Sequence, residues 1–325
     1  MYKRFYNLQR NPFEITPDPA FLFPTQRHNE GLAALYYGVR RHKGFVVMTG
    51  EVGTGKTLLI RCLLQLFARG NVGYAYVFNS RLSPLEFLQY IAGDFGLPIS
   101  GKSKSELLLS LSSFVVARHQ KKLTTVLVVD EAHHVAAEVL EEIRLLTNLE
   151  TAEEKLLQIL LVGQPELDDK LDSVELRQLK QRVALRSHLE PLTQQETDGY
   201  IRRRLQLAGA NSQAATLYPQ ETIVRVYHHS QGIPRLINTV CENSLILGYA
   251  RKVATIVPDI VDEVAADLRL HVVRSASSER SASDEADHEL WQAAKKLLQF
   301  HDDLQRMRSR EVAAPISVVA GAKES

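Results

Sequence analysis

Gly50-Glu-Val-Gly-Thr-Gly-Lys-Thr57 is the segment of this 325-residue chain whose residue types and spacing most directly imply chemistry. It fits the pattern G-x-x-x-x-G-K-[ST] in full. Gly50, Gly53 and Gly55 free the main chain to wrap, so that successive N–H groups turn inward on an anion. Lys56 supplies a mobile ammonium for the β- and γ-phosphates of a nucleotide, and Thr57 a hydroxyl for Mg²⁺. Glu51, Val52, Thr54 and Leu58 complete the stretch expected to line the nucleotide. The bland alternative is a glycine turn with a chance lysine. The flanks weigh against it: a short apolar run precedes the loop, and a helical pattern follows whose N-terminus adds partial positive charge.

A second half-site stands at Val126-Leu-Val-Val-Asp130-Glu131. An acid at the end of a buried strand serves no packing purpose. Asp130 is expected to hold Mg²⁺, and Glu131, one step further on, to polarise the attacking water. A surface turn of two acids is the alternative. The run Asp130-Glu131-Ala132-His133 also spells the signature of a helicase group, but such helicases use two tandem α/β motor domains and one is visible here. His133 and His134 have no ligand frame around them. They are expected to cap the following helix or to face solvent.

Three further features point to the AAA+ branch of the P-loop class. Gln164, in Gly163-Gln-Pro165, follows the next strand, where a polar side chain can sense the γ-phosphate; a plain turn is the alternative. Arg182, in Leu179-Lys-Gln-Arg182, precedes the last strand, where relatives place an arginine that reaches a neighbouring subunit's site. A surface salt bridge and a DNA contact are its other readings, and Arg177 and Arg186 compete for the role. Arg235, in Gly232-Ile-Pro-Arg235, opens a helix and resembles a lid arginine that swings onto the phosphates; a helix-start arginine on the surface is the alternative.

Apolar periodicity places these residues on elements. Strand-like runs at 44–49, 74–78, 125–130, 157–162 and 184–189 alternate with helical patterns at 28–42, 56–67, 84–95, 103–119, 137–149 and 177–182. That alternation predicts a parallel sheet covered on both faces. After Pro191 only helical patterns remain, at 194–207, 219–229, 234–250 and 258–268. The expected architecture is α/β: a AAA+ P-loop domain over 1–190, a small all-helical lid over 191–270, and a tail over 271–325. The first 25 or so residues hold Pro12, Pro17, Pro19 and Pro24, which forbid a continuous helix. Phe5, Phe13, Phe21 and Phe23 need burial there, so an ordered arm packed on the domain is expected. In the tail, Ser275–Ser283 reads as a linker. Leu290, Leu297 and Leu304 suggest one amphipathic helix within 285–310, and a disordered end follows from Val312.

Composition fits a globular chain: 45% hydrophobic and 24% charged residues. Lysine and arginine number 39 against 38 acids, a net charge of +1, which provides no global attraction to DNA or to anionic membranes. Cys62 and Cys241 read as reduced core thiols, although their spacing also permits a disulfide. The N-terminus has no apolar region of signal-peptide type, and no stretch reaches the ~18 apolar residues of a membrane span. A cytoplasmic protein without direct membrane insertion is expected.

The arm from Tyr6 to Leu22, the segment Gly44–Thr57, Gly163-Gln-Pro-Glu-Leu167 and Gly232-Ile-Pro-Arg-Leu-Ile-Asn238 together resemble the general-secretion-pathway protein A family. The resemblance covers roughly residues 1–270. It implies a AAA+ fold, Mg²⁺-dependent ATP hydrolysis, assembly into a homo-oligomeric ring or filament, and sensor and finger roles for Gln164, Arg182 and Arg235. Some members continue into a membrane span and a peptidoglycan-binding domain, neither of which is visible in this sequence. Relatives include ATPases tied to secretion or export, which implies a protein partner of such machinery. The same branch is similar to transposition regulators that load on DNA. Arg202-Arg203-Arg204 and Lys121-Lys122 are the candidate phosphate contacts for that second reading, or solvated helix faces for the bland one.

Overall fold

The computed structural model describes residues 2–270, except 68–70, 79–80 and 211–213. The expected linker, amphipathic helix and disordered end lie outside the described residues.

Strands β1 (Phe45–Gly50), β2 (Val72–Val77), β3 (Thr124–Val129), β4 (Leu157–Gly163) and β5 (Leu185–Leu189) form one sheet in the order β2-β3-β4-β1-β5. Every pairing is parallel. Among them run α1 (Tyr2–Phe5), α2 (Gln26–Arg40), α3 (Lys56–Phe67), α4 (Pro84–Asp94), α5 (Lys104–Gln120), α6 (Ala137–Leu146), α7 (Glu166–Leu171) and α8 (Arg177–Lys180). Then follow α9 (Gln194–Leu207), α10 (Ala214–Leu217), α11 (Gln220–Ser230), α12 (Pro234–Ala250) and α13 (Pro258–Asp267).

β1 and β4 are buried at every position. A strand covered by helices on both faces must be apolar on both, which is why these segments read as unbroken runs. Successive side chains still part to opposite faces. Phe45 and Val47 join the core formed with Phe87, Leu111 and Ile143. Val46 and Met48 join the opposite core, with Leu35, Leu63 and Phe67. Three helix starts are fixed by reciprocal capping: Ser83 with Glu86 for α4, Ser103 with Glu106 for α5, and Thr193 with Glu196 for α9.

A third core gathers Ile201, Leu205, Tyr218, Ile223, Val240 and Leu245 from α9–α12. Tyr2, Tyr6, Leu8 and Phe13 of the N-terminal arm are part of it. The arm's first half, read from sequence with the α/β region, thus packs on the later helices. Phe13 is fully buried, edge-on to Tyr218 at 5.9 Å between centroids. Tyr2 donates its hydroxyl to Glu242 at 2.8 Å. Phe5, expected inside, stays 39% exposed; its ring rests on Tyr6 and Tyr249 at the edge of this core. The arm's second half returns to the sheet: Leu22 packs with the α2–α3 core, and Arg61 of α3 donates to the Pro17 carbonyl at 2.7 Å.

Arg204 welds the arm to α9. It is buried, donates to the Pro12 carbonyl at 2.8 Å, and lies over the rings of Phe21 and Tyr200 at 4.9 and 5.0 Å. Arg202 pairs with Asp198 and Gln220. Of the triplet considered for DNA, Arg203 alone is exposed. The loss of the other two follows from helical geometry, which turns three consecutive residues to three different directions.

Candidate nucleotide site

Parallel strands end on one edge of their sheet, and the crevice there is where open α/β sheets bind ligands. The loop Gly50–Thr57 leaves β1 at that edge and enters α3 directly at Lys56. Gly53 and Gly55 hold φ of +84° and +108°, a region that side chains with a Cβ rarely adopt. Gly53 carries a second constraint. A Cβ there would stand 2.6 Å from the Arg235 Cβ, so the loop and the start of α12 touch through the missing side chain. The Arg235 N–H, one of the unpaired donors of a helix start, donates to the Gly53 carbonyl at 3.2 Å. The Arg235 side chain itself is exposed.

The Lys56 ammonium is buried and donates to the Gly50 and Glu51 carbonyls at 2.6 and 2.8 Å. Burial holds its pKa below the ordinary lysine value, with Glu131 and Asp130 opposing that shift. Thr54 is fully buried, its hydroxyl donating to the Glu51 carbonyl at 2.8 Å. Glu51 and Val52 form the exposed tip of the loop, and Leu58 is half-buried in the first turn of α3.

Asp130 follows β3, two strands across the sheet from β1, with β4 between. Its Oδ2 accepts the Thr57 hydroxyl at 3.1 Å and the Tyr76 hydroxyl at 2.6 Å. Its Oδ1 accepts the Glu131 N–H at 2.9 Å. Burial and the Asp130 charge push the Tyr76 phenol far up, so Tyr76 acts as a donor here. Glu131 takes a left-handed conformation, φ +52°, that non-glycine residues adopt at a cost of about 1 kcal/mol. Such outliers persist where the surroundings enforce them.

His133 is neither a helix cap nor solvent-facing: its side chain is 5% exposed, and its Nδ1 accepts the Gln164 N–H at 3.3 Å. Burial holds its pKa down and the ring neutral. The Glu131 carboxylate 3.5 Å away is therefore a polar neighbour and not an ion pair. Through this ring the end of β3 is tied to the end of β4, where Gln164 sits. The neighbouring His134 is exposed.

The structure thus gathers Gly50–Leu58, Asp130, Glu131, Gln164 and the start of α12 at one edge. It does not gather Arg182. That residue precedes β5, whose Leu185 pairs with Val46 and whose Leu189 pairs with Gly50. At ~3.3 Å per residue, Arg182 lies beyond the opposite end of the strand. It is half-buried near Glu150, whose carboxyl Lys155 and then Arg182 hold low. Arg186 is paired with Asp168 at 2.8 Å, and Asp168 also accepts the Thr49 hydroxyl at 2.7 Å. Arg177 opens α8 and is exposed. The sequence reading missed Tyr76, Asp168 and Thr49. None has a local signal, since Tyr76 meets Asp130 only when β2 and β3 are side by side, and Thr49 meets Asp168 only when α7 lies against β1.

Residues 39–171 match the family of AAA domains. General secretion pathway protein A of Aeromonas hydrophila is 45% identical to this chain over 252 residues, 77% of the chain and 45% of that protein. The chain therefore spans about half the length of that relative. Among solved structures, the Aeropyrum pernix ORC2 protein in its ADPNP–ADP complexes superposes with a TM-score of 0.61 at 18% identity, covering 80% of this chain and 72% of the other. Cdc6p of Pyrobaculum aerophilum gives 0.60 at 17% identity, covering 81% and 72%. These two likenesses concern the fold alone.

Proposed function

We propose that this chain, which matches the AAA domain family over residues 39–171 and is 45% identical to general secretion pathway protein A over 252 residues, hydrolyses ATP with Mg²⁺ to drive assembly or remodelling of a partner complex in secretion or export. The observation that carries this reading is the 3.1 Å hydrogen bond from Thr57 to Asp130. It joins the phosphate-loop helix to the strand-end acid and sets two hard oxygens side by side.

That pair suits Mg²⁺, which takes oxygen ligands, keeps waters and needs few protein groups. Thr57 and Asp130 would hold the ion, which supplies neutralisation of the charge on the β- and γ-phosphates when bound. The N–H groups of Gly53, Gly55 and Lys56 take the phosphate oxygens, while the Thr54 N–H is held by the Glu51 carbonyl within the loop. Lys56 exchanges loop carbonyls for phosphate oxygens, which are stronger acceptors for an ammonium. Glu131 accepts a proton from the water whose oxygen bonds to the γ-phosphorus. The bond from that phosphorus to the bridging oxygen breaks, and ADP leaves with the electron pair. Gln164 senses the γ-phosphate. Arg235 reads the phosphates from the helical region 191–270, which acts as a lid on the domain 1–190. Arg182, remote from its own chain's loop, serves the site of the next subunit in a ring or filament.

A cytoplasmic location and a protein partner of an export machine fit this reading. Among the described residues no helix is long and apolar enough to cross a membrane. The DNA-binding alternative loses support at Arg204 and Arg202, whose guanidinium groups are engaged within the fold. The test is phosphate release under saturating Mg²⁺-ATP. Wild type is expected to turn over, and Glu131→Gln to bind ATP with turnover reduced ~100-fold or more. Equal turnover of the two proteins would sink the assignment.

A further inference from the structure

His28 has no part in the roles assigned so far. It sits in the first turn of α2, three residues after the N-cap Thr25, and is buried beneath the phosphate loop. Both ring nitrogens are engaged. Nδ1 lies 2.6 Å from the Thr25 hydroxyl oxygen, and Nε2 lies 3.1 Å from the Thr54 carbonyl oxygen. A carbonyl only accepts, so Nε2 carries the proton and donates. Nδ1 is then the acceptor of the Thr25 hydroxyl, whose oxygen in turn receives the His28 N–H at 3.2 Å. The Thr54 carbonyl thus selects the tautomer, and the Thr25 hydroxyl accommodates it. Burial keeps the ring neutral by holding its pKa below the ordinary histidine value.

The peptide that His28 grips joins Thr54 to Gly55, in the centre of the loop. A trans peptide is planar, so its carbonyl and its N–H point in opposite directions. Fixing the Thr54 carbonyl on the α2 side fixes the Gly55 N–H on the other side, among the inward donors. Gly55, at φ +108°, has the freedom to let that plane rotate. The ring also closes off the space beneath it: Nε2 stands 3.3 Å from where a Gly55 Cβ would be. If the plane rotated, a carbonyl oxygen would face the phosphates in place of a donor.

We propose that His28 is a positioning residue for nucleotide binding, holding the Thr54–Gly55 peptide so that the Gly55 N–H faces the phosphates. The inference rests on the nucleotide reading above. With both nitrogens engaged, His28 acts through the loop and does not touch the ligand. Its loss therefore weakens ADP and ATP alike, and it raises KM while leaving kcat nearly unchanged.

The experiment titrates a fluorescent ADP analogue into the full chain as wild type, His28→Ala, His28→Gln and His28→Asn, with KM and kcat for ATP alongside. A glutamine amide NH₂ reaches about as far as Nε2; an asparagine NH₂ does not. Ala and Asn are expected to bind about tenfold more weakly, the worth of one buried hydrogen bond, and Gln to recover to within about threefold of wild type. Equal affinity for all four proteins, or Gln as weak as Asn, overturns the proposal. The Gln–Asn contrast decides the matter even if the alanine variant fails to fold. A wild type that binds no nucleotide overturns the functional reading itself, a result distinct from wild-type binding that no substitution changes.

Discussion

The phosphate loop and the arginine triplet Arg202–Arg204 both place cationic side chains on or beside a helix, and both invite a reading as phosphate contacts. In the loop the working groups are main-chain amides, one ammonium and one hydroxyl, and their arrangement follows from eight consecutive residues. In the triplet each guanidinium goes where its own side of α9 faces. Arg204 enters the arm's aromatic cluster, Arg202 meets Asp198, and Arg203 meets solvent. Contiguity in sequence carries chemical meaning where the backbone does the binding. It carries little where separate side chains must converge.

The strongest way to break this comparison is Lys56→Ala. It should lower phosphate release at least ~100-fold, since the ammonium acts on charge that develops in the transition state. Retention of turnover would put the loop on the same footing as the triplet. Next comes Arg204→Ala, which should destabilise the fold by about 2–3 kcal/mol through lost hydrogen bonds to the arm and lost contact with two rings. Arg203→Ala should stay within about 0.5 kcal/mol of wild type. Urea denaturation of the two variants measures the contrast, and equal midpoints would mean that the triplet is a uniform solvated face. Gly53→Ala should follow, at roughly 1–2 kcal/mol of strain from its positive φ and the close Arg235 Cβ. Because the clash also pushes α12 from the loop, nucleotide affinity should fall with stability. An affinity that holds while stability falls would separate α12 from the loop.

The smallest effect is one of pH. The His28 pKa lies below 6.5 in the folded chain and near 6.5 in the unfolded one. As the pH drops below about 7 the unfolded state binds the extra proton first, so acidification removes stability. The difference in urea midpoint between wild type and His28→Gln should thus shift against wild type between pH 7 and pH 5. A pH-independent difference would mean that the ring titrates normally and is not buried as described.

Most of the fold was legible. Runs such as Val126–Val129 and Leu157–Val162 announce buried parallel strands because both faces are covered, and apolar periodicity places helices such as those at 103–119 and 194–207. The candidate site was legible as a proposal wherever one short segment contains it, from Gly50 to Leu58 and at Asp130–Glu131. It was illegible where partners come from distant segments. Tyr76 on Asp130, His28 on Thr54 and Asp168 on Thr49 are separated by 54, 26 and 119 positions. The short α7 escaped the periodicity reading because six residues hold fewer than two turns.

By itself the sequence determined a glycine-rich loop of the phosphate-binding pattern between a buried strand and a helix, because main-chain geometry follows from glycine placement and local hydrogen bonding. Tertiary structure alone decided that the aromatic arm joins the later helices, that Arg204 is a structural clasp and that His28 sits under the loop. Those outcomes depend on which surfaces meet once the sheet has formed, and burial against a distant partner leaves no periodic trace in the chain.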